Sequence, residues 1–287
     1  MAIRAPAQFV TSGAGVRVPA IIYGTAWKKT DTERLVALAI DTGFRGIDTA
    51  CQPKHYDEAG VGAGAVAAAS RSGLDRGELY LQTKFTPLSG QDPNRIPYDR
   101  DAAITQQVTQ SFRVSLRNLR TEVLDALLLH SPMADMSQTL EAWRAMESLA
   151  DAGGIRQLGV SNFYNLADLE ELYDVVGVKP AIVQNRFYAA SGYDAEIRAF
   201  CRERQIIYQS FWTLTANAAF LTDAAVLALS AKHGRTPEQI LFRFLSQIGV
   251  VPLTGTRSVQ HMTDDLAIFD FEIARADLAS LERLLLR

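Results

Sequence analysis

Eight short apolar runs, separated by helix-patterned stretches, recur along the chain from end to end. They lie at residues 20–24, 44–48, 78–84, 124–130, 156–160, 181–184, 206–210 and 250–253. Such alternation calls for a parallel sheet, because each strand needs a crossover helix before the next can lie beside it. Most of the runs are continuously apolar rather than alternating, as in strands covered on both faces. Eight units favour a closed (β/α)8 barrel, a TIM barrel, over an open doubly wound sheet. Barrels of roughly 250 residues are routinely one unit, so residues 1–287 are read as a single domain. Residues 8–19, with Gly13 and Gly15 between β-formers, read as an N-terminal β-hairpin that caps the barrel.

Helix signals agree with this frame. Thr30 and Glu33 have capping-box spacing ahead of Leu35 and Leu38, and Gly43 supplies a stop before the second strand. Leu278, Leu281, Leu284 and Leu285 mark a final helix. A hydrophobic share of 48% can fill a large core, and a net charge of −3 gives no attraction to nucleic acid or an anionic membrane. Two cysteines, Cys51 and Cys201, are too few for a disulfide framework. No apolar run approaches the roughly 20 residues of a membrane helix, and the first residues lack the apolar core of a signal peptide. A soluble cytoplasmic protein is expected, a monomer or a weak homo-oligomer. No metal site is expected.

The stretch Gly60-Val61-Gly62-Ala63-Gly64-Ala65 fits the dinucleotide fingerprint G-x-G-x-x-[GA]. That fingerprint needs a strand immediately before it. Here a polar stretch precedes it and an Ala-rich helix follows, so close helix–barrel packing is the better reading.

In a barrel of this type catalytic groups sit at the C-terminal ends of the strands. The second run ends in Asp48, the third in Lys84, the fourth in His130 and the sixth in Gln184, and Ser161-Asn162 follows the fifth. Tyr56 comes after the second. Singly, each has a bland reading as a helix cap or a solvated charge. Jointly they form a device for carbonyl reduction. The alkoxide formed by hydride addition needs a proton, and a tyrosine can give it if a nearby ammonium lowers its pKa from about 10. An aspartate orients the lysine. A neutral histidine donates a hydrogen bond to the substrate oxygen.

These segments resemble the aldo-keto reductase family. The resemblance rests on GFRGIDTA at 43–50, LYLQTKF at 79–85, LDALLLHSP at 124–132 and IRQLGVSNF at 155–163, and extends to PAIVQ at 180–184 and PLTGTR at 252–257. It implies NAD(P)H-dependent reduction of a small-molecule aldehyde or ketone, with Asp48, Lys84 and His130 in the catalytic set. The catalytic tyrosine maps less directly. The family's usual position, five residues after the aspartate, is Pro53. Counting back from Glu58 gives His55, with Tyr56 one step later. The need for a phenol favours Tyr56, and the inserted CQPKHY segment suggests a divergent subgroup.

The resemblance also implies that Ser161, Asn162 and Gln184 bind the nicotinamide carboxamide, that Phe211 stacks on the ring, that Thr25 and Asp48 lie near its ribose, and that Leu214 belongs to a loop over the pyrophosphate. Gly255, Thr256, Arg257, His261 and Asp265 would meet the adenosine end. Arg257 suits a 2′-phosphate, so NADP(H) is expected, with NAD(H) as the alternative. Trp27, Phe85, Pro87 and Trp212 would line an apolar substrate pocket. The chain ends at Arg287, directly after its last predicted helix, and the Pro- and Gly-rich stretch 85–99 is a candidate partial lid over an otherwise open site. Two other readings compete: a barrel hydrolase or lyase, and a non-catalytic NADPH-binding sensor or regulatory subunit.

Overall fold

The computed structural model describes residues 8–286. An antiparallel hairpin, β1 (Phe9–Thr11) and β2 (Arg17–Pro19), comes first. The barrel strands follow: β3 (Ile22–Gly24), β4 (Gly46–Asp48), β5 (Tyr80–Phe85), β6 (Ala126–Leu129), β7 (Leu158–Ser161), β8 (Ile182–Arg186), β9 (Ile207–Phe211) and β10 (Val250–Thr254). They close in sequence order into an all-parallel barrel, β10 pairing with both β9 and β3. Each of the eight expected runs contains or overlaps one of these strands. The hairpin docks at the opposite end from the strand C-termini: Gly13 N–H donates to Gln205 O at 3.0 Å, and Ser12 Oγ to Gln157 Oε1 at 2.6 Å.

Alternation along β5 explains the layering. Tyr80, Gln82 and Lys84 share the inner face, while Leu81, Thr83 and Phe85 point to the helical ring. Tyr80 joins Ile22, Leu128, Ile182, Ile207 and Val251 in a small apolar layer inside the barrel. Above it the interior turns polar, with Gln82, Gln209 and Gln184, then Asp48 and Lys84. The larger apolar core lies between the strands and the helices, around Trp143, Phe163, Phe187, Phe242 and Phe244.

Two local expectations need correction. The capping box at Thr30 and Glu33 does not form. A 3-10 turn, Lys29–Asp31, runs directly into the helix Thr32–Thr42, so its N-cap Asp31 is already helical and accepts no side-chain capping bond. Gly43 does end that helix, at φ 130°, with its N–H on the Ala39 and Ile40 carbonyls. The glycine-rich stretch lies within the helix Glu58–Ser72, and its glycines face neighbouring helices rather than the barrel. A Cβ on Gly64 would fall 2.4 Å from Glu33 O, and one on Gly62 would fall 2.1 Å from Asn118 O. The motif therefore lets three helices approach closely and holds no nucleotide.

Gly62→Ala should destabilise the chain by about 1–3 kcal/mol despite alanine's better helix propensity, because the added methyl must push backbone aside. Gly77, with nothing within 4 Å of its would-be Cβ, is the control. Scanning calorimetry should show a melting temperature clearly lower for Gly62→Ala than for Gly77→Ala. Equal values would refute the packing argument.

Candidate active site

A cavity of about 960 Å³ opens at the C-terminal end of the barrel. At its floor Lys84 is 1% exposed and donates to both Asp48 carboxylate oxygens at 2.7 Å and to Thr49 O at 2.8 Å. All three ammonium protons are thus used. Burial pulls Lys84 below its usual pKa, and the Asp48 charge opposes that. Asp48 Oδ1 also accepts from Gln82 Nε2 at 2.7 Å and from Gln184 Nε2 at 2.9 Å. Both amides reach Gln209 Oε1 as well.

Tyr56 stands over this pair. The Lys84 ammonium lies 5.4 Å from its ring centroid, and the His130 ring meets it edge-on at 5.9 Å. Among the described residues its hydroxyl has no hydrogen-bond partner. The expected lowering of its pKa does not occur. Burial first, and the Asp48 charge second, push it above the ordinary phenol value. Lys84 cannot reverse this while its charge is answered by Asp48, so the phenol stays protonated.

His130 follows β6 and is held by Thr86, whose Oγ1 lies 2.7 Å from Nδ1. Burial, helped by Lys84 and His55, lowers its pKa well below the usual value, so the ring is neutral. In the tautomer in which the Thr86 hydroxyl donates to Nδ1, the single ring proton sits on Nε2, which is the form that can donate into the cavity. His55 also lines the cavity but stacks on Trp27 at 3.9 Å, at the rim. Tyr56, not His55, packs against both Lys84 and His130.

The cofactor candidates divide. Ser161, Asn162, Gln184, Phe211, Leu214, Gly255, Thr256, His261 and Asp265 all line the cavity. Gln184 spends its amide nitrogen on Asp48 and Gln209, leaving its carbonyl oxygen for the cavity. Asn162 is more committed: it donates to His130 O at 2.7 Å and accepts from Tyr164 Oη at 3.2 Å. Asp265 accepts from Thr254 Oγ1, and burial raises its pKa to about 7. Thr25 lies below the surface, its hydroxyl on Asp48 O. Arg257 is turned to Asp31 Oδ2 at 2.7 Å and Trp27 O at 2.9 Å.

Phe85 is a correction. It is wholly buried and packs on Tyr98 at 5.6 Å, because its neighbour Lys84 takes the inward position on the strand. Pro87 likewise lies outside the cavity lining. The stretch 85–99 is no lid: Tyr98 Oη and Gln91 Nε2 both bind Thr86 O, and Gln52 Nε2 binds Gly90 O. It braces the loop that carries His130's partner. Trp27 and Trp212 do form the rim, 54% and 50% exposed.

Two residues escaped the sequence reading. Lys28 lines the cavity with its Nζ on Gly255 O and no carboxylate partner among the described residues. Burial and the nearby Arg257 lower its pKa to about 8. Its doublet with Lys29 gave no hint that one of the two is buried. Arg186, at the end of β8, lines the opposite side. It follows Gln184 by two, which could have placed it on the inner face.

The Aldo/keto reductase family model matches residues 20–286, and the chain belongs to that family. It is 30% identical to the glyoxal reductase of Bacillus subtilis over 87% of this chain and 82% of that one. It is 28% identical to the morphine 6-dehydrogenase of Pseudomonas putida over 94% and 88%. An aldo/keto reductase from Brucella melitensis superposes with a TM-score of 0.81 at 26% identity, covering 97% of this chain and 99% of that one. An aldo-keto reductase from Bombyx mori, solved in complex with NADP, matches in fold with a TM-score of 0.82 at 24% identity, over 98% and 93%.

The low pKa of His130 has a consequence for stability. The unfolded chain protonates this imidazole near pH 6.5, while the folded chain keeps it neutral well below that. Stability is therefore lost as the pH falls from about 6.5 towards the folded value. His130→Gln should shrink the drop in urea midpoint between pH 7 and pH 5. An undiminished drop would show that other groups carry the acid sensitivity.

Proposed function

We propose that this member of the aldo/keto reductase family reduces an aldehyde or ketone to an alcohol with NADPH, Tyr56 giving the proton. The observation that carries this reading is the Tyr56 hydroxyl, without a hydrogen-bond partner among the described residues and protonated, facing a cavity between Lys84 and His130. A nicotinamide cofactor bound there would supply the hydride.

The residues present fit such a cofactor. Lys28 is a buried cation with no acid beside it among the described residues, which suits a phosphate. Gln184 offers a carbonyl oxygen, and Ser161 a hydroxyl, at the height of Asp48, where a carboxamide could be held. Phe211 provides an apolar face at the end of β9. Asp265 has a buried carboxyl for an amino donor.

The chain's own groups then divide the chemistry. His130 Nε2–H and Tyr56 Oη–H converge on the carbonyl oxygen and fix the face that receives the hydride. As charge grows on that oxygen, both hydrogen bonds strengthen, and this lowers the barrier. Tyr56 passes its proton to the oxygen. The Lys84 ammonium, 5.4 Å from the Tyr56 ring centroid, attracts the resulting phenolate, while Asp48, which keeps that ammonium charged and aimed, offsets part of the attraction. Burial keeps the phenol protonated, so a proton is present when the alkoxide forms, although it also makes the phenol a weaker acid.

Tyr56→Phe should cut kcat at least about a hundredfold while fluorescence titration shows NADPH binding within a few-fold of the parent. Near-parental turnover would remove the assignment, and a His55→Ala variant that alone lost activity would move the role there.

The two cations at the far end favour NADPH over NADH. Arg257 would leave Asp31 for the 2′-phosphate, at small cost since both are half-exposed. Arg257→Ala should raise KM for NADPH about tenfold and leave that for NADH unchanged. Equal use of both cofactors by the parent would refute this.

A further inference from the structure

We propose that Arg186 binds an anionic group of the substrate, so that the favoured carbonyl compound carries a carboxylate. This rests on the reductase reading above and names its substrate class. Arg186 is the last residue of β8 and lies on the same strand face as Gln184, about 7 Å further along. It therefore stands at the mouth of the barrel, directly above the residue that touches Asp48.

Its neighbours fix the sector. The Arg186 backbone N–H donates to Tyr164 Oη at 3.1 Å, Tyr164 Oη donates to Asn162 Oδ1, and Asn162 Nδ2 donates to His130 O. The guanidinium thus belongs to the side of the cavity that holds His130. It lies 4.1 Å over the exposed ring of Trp212 and 5.4 Å from that of Tyr188.

No acid answers this charge. Among the described residues Arg186 makes no salt bridge, and its Nε is buried with no hydrogen-bond partner. Arg76 and Arg156, by contrast, both reach Asp125, at 2.8 and 3.3 Å. Glu238, Asp264 and Asp265 also line the cavity, but beside β10, and β9 stands between β10 and β8. The terminal Nη1 and Nη2 of Arg186 are not walled off as its Nε is and carry no hydrogen bond among the described residues, and cationic donors unanswered at a cavity wall suit an anionic acceptor. With its Cζ 4.1 Å over the indole, the guanidinium has its Nη1 and Nη2 left to meet a carboxylate in two parallel hydrogen bonds. With the reacting oxygen held by His130 and Tyr56, the geometry suits an oxo acid whose carboxylate is several bonds from the carbonyl. Trp212, which lines the cavity, would flank the spacer.

Two measurements test this. In the first, steady-state reduction of 4-carboxybenzaldehyde is compared with that of its neutral partner methyl 4-formylbenzoate. The parent should show a KM about ten- to a hundredfold lower for the acid. Arg186→Met should erase that difference through KM with little change in kcat, leave the ester and NADPH unaffected, and Arg186→Lys should restore part of it. Equal use of acid and ester by the parent overturns the proposal. So does an Arg186→Met variant whose loss appears in KM for NADPH, which would assign the cation to a cofactor phosphate.

The second measurement needs no turnover. Terephthalate should perturb the tryptophan fluorescence of the NADPH-loaded parent through Trp212 and bind at least tenfold more weakly to Arg186→Met, while terephthalamide binds both alike. Terephthalate binding with no carbonyl reduced would sink the reductase reading and keep the anion site. Reduction of neutral aldehydes with no terephthalate binding would do the reverse.

Discussion

The buried contact between Lys84 and Asp48 sets the terms for everything at the mouth of the barrel. Two charges removed from water cost several kcal/mol each unless every lone pair and proton is answered. Here each is. The ammonium has three acceptors, and the carboxylate adds two amide donors from Gln82 and Gln184. Those amides come from β5 and β8, and Gln209 on β9 links them across the barrel. Four strands must therefore keep their register for the pair to stay satisfied. The polar layer fixes alignment, the apolar layer beneath it, around Tyr80 and Ile182, fills the barrel interior, and most of the apolar burial lies between the strands and the helices. Tyr80 joins the two, its hydroxyl donating to Gln82 Oε1 and accepting from Gln157 Nε2.

A second buried acid braces the same region from outside. Glu58 accepts from Thr83 on β5 and from Ser115 and Asn118 on the helix Ile104–Leu119. Burial raises its pKa, and the neutral donors around it work against that rise. It opens the helix that follows the Tyr56 loop, and its attachment to β5 fixes where that loop ends. The position of Tyr56 over Lys84 thus follows from two polar anchors, Asp48 before the loop and Glu58 after it.

What could be read in the sequence follows from this layering. Strands buried on both faces show as apolar runs, so all eight were legible, as were the polar residues that interrupt or end them: Asp48, Lys84 and His130. Gln184, at the end of its run, was legible too, but Gln82 and Gln209 were not, because a glutamine within an apolar run signals neither face nor partner. Phe85 was misplaced for want of one step of alternation from Lys84. Lys28 went unread because nothing in its local sequence marks it as the lysine that folds against Gly255. The tyrosine's electrostatics also resisted a local reading. An ammonium nearby suggests a lowered pKa, but the outcome depends on whether that ammonium is already neutralised, and on burial, which pair spacing does not reveal.

The rim carries a cost that these interactions offset. Trp27, Asn162 and Trp212 all have positive φ, at 63°, 58° and 56°. A left-handed backbone at a bulky residue is unfavourable by about 1–2 kcal/mol. Each of the three lies at or just after the end of a barrel strand or in the loop that follows it, and each lines the cavity. Neighbouring backbone holds them there: Trp27 N–H on His55 O, Asn162 N–H on Gln184 O, and Ala216 N–H on Trp212 O. The left-handed step turns the chain sharply once it leaves the strand. A right-handed residue would carry the backbone onward and alter the direction of the side chain. Strain at three rim positions is thus the local consequence of lining the opening with large side chains, and the register enforced below by Asp48 and its amides is what makes that geometry affordable. The same turn at Trp212 presents the indole face on which Arg186 lies, so the rim's strain and its one stacked guanidinium have a common structural origin.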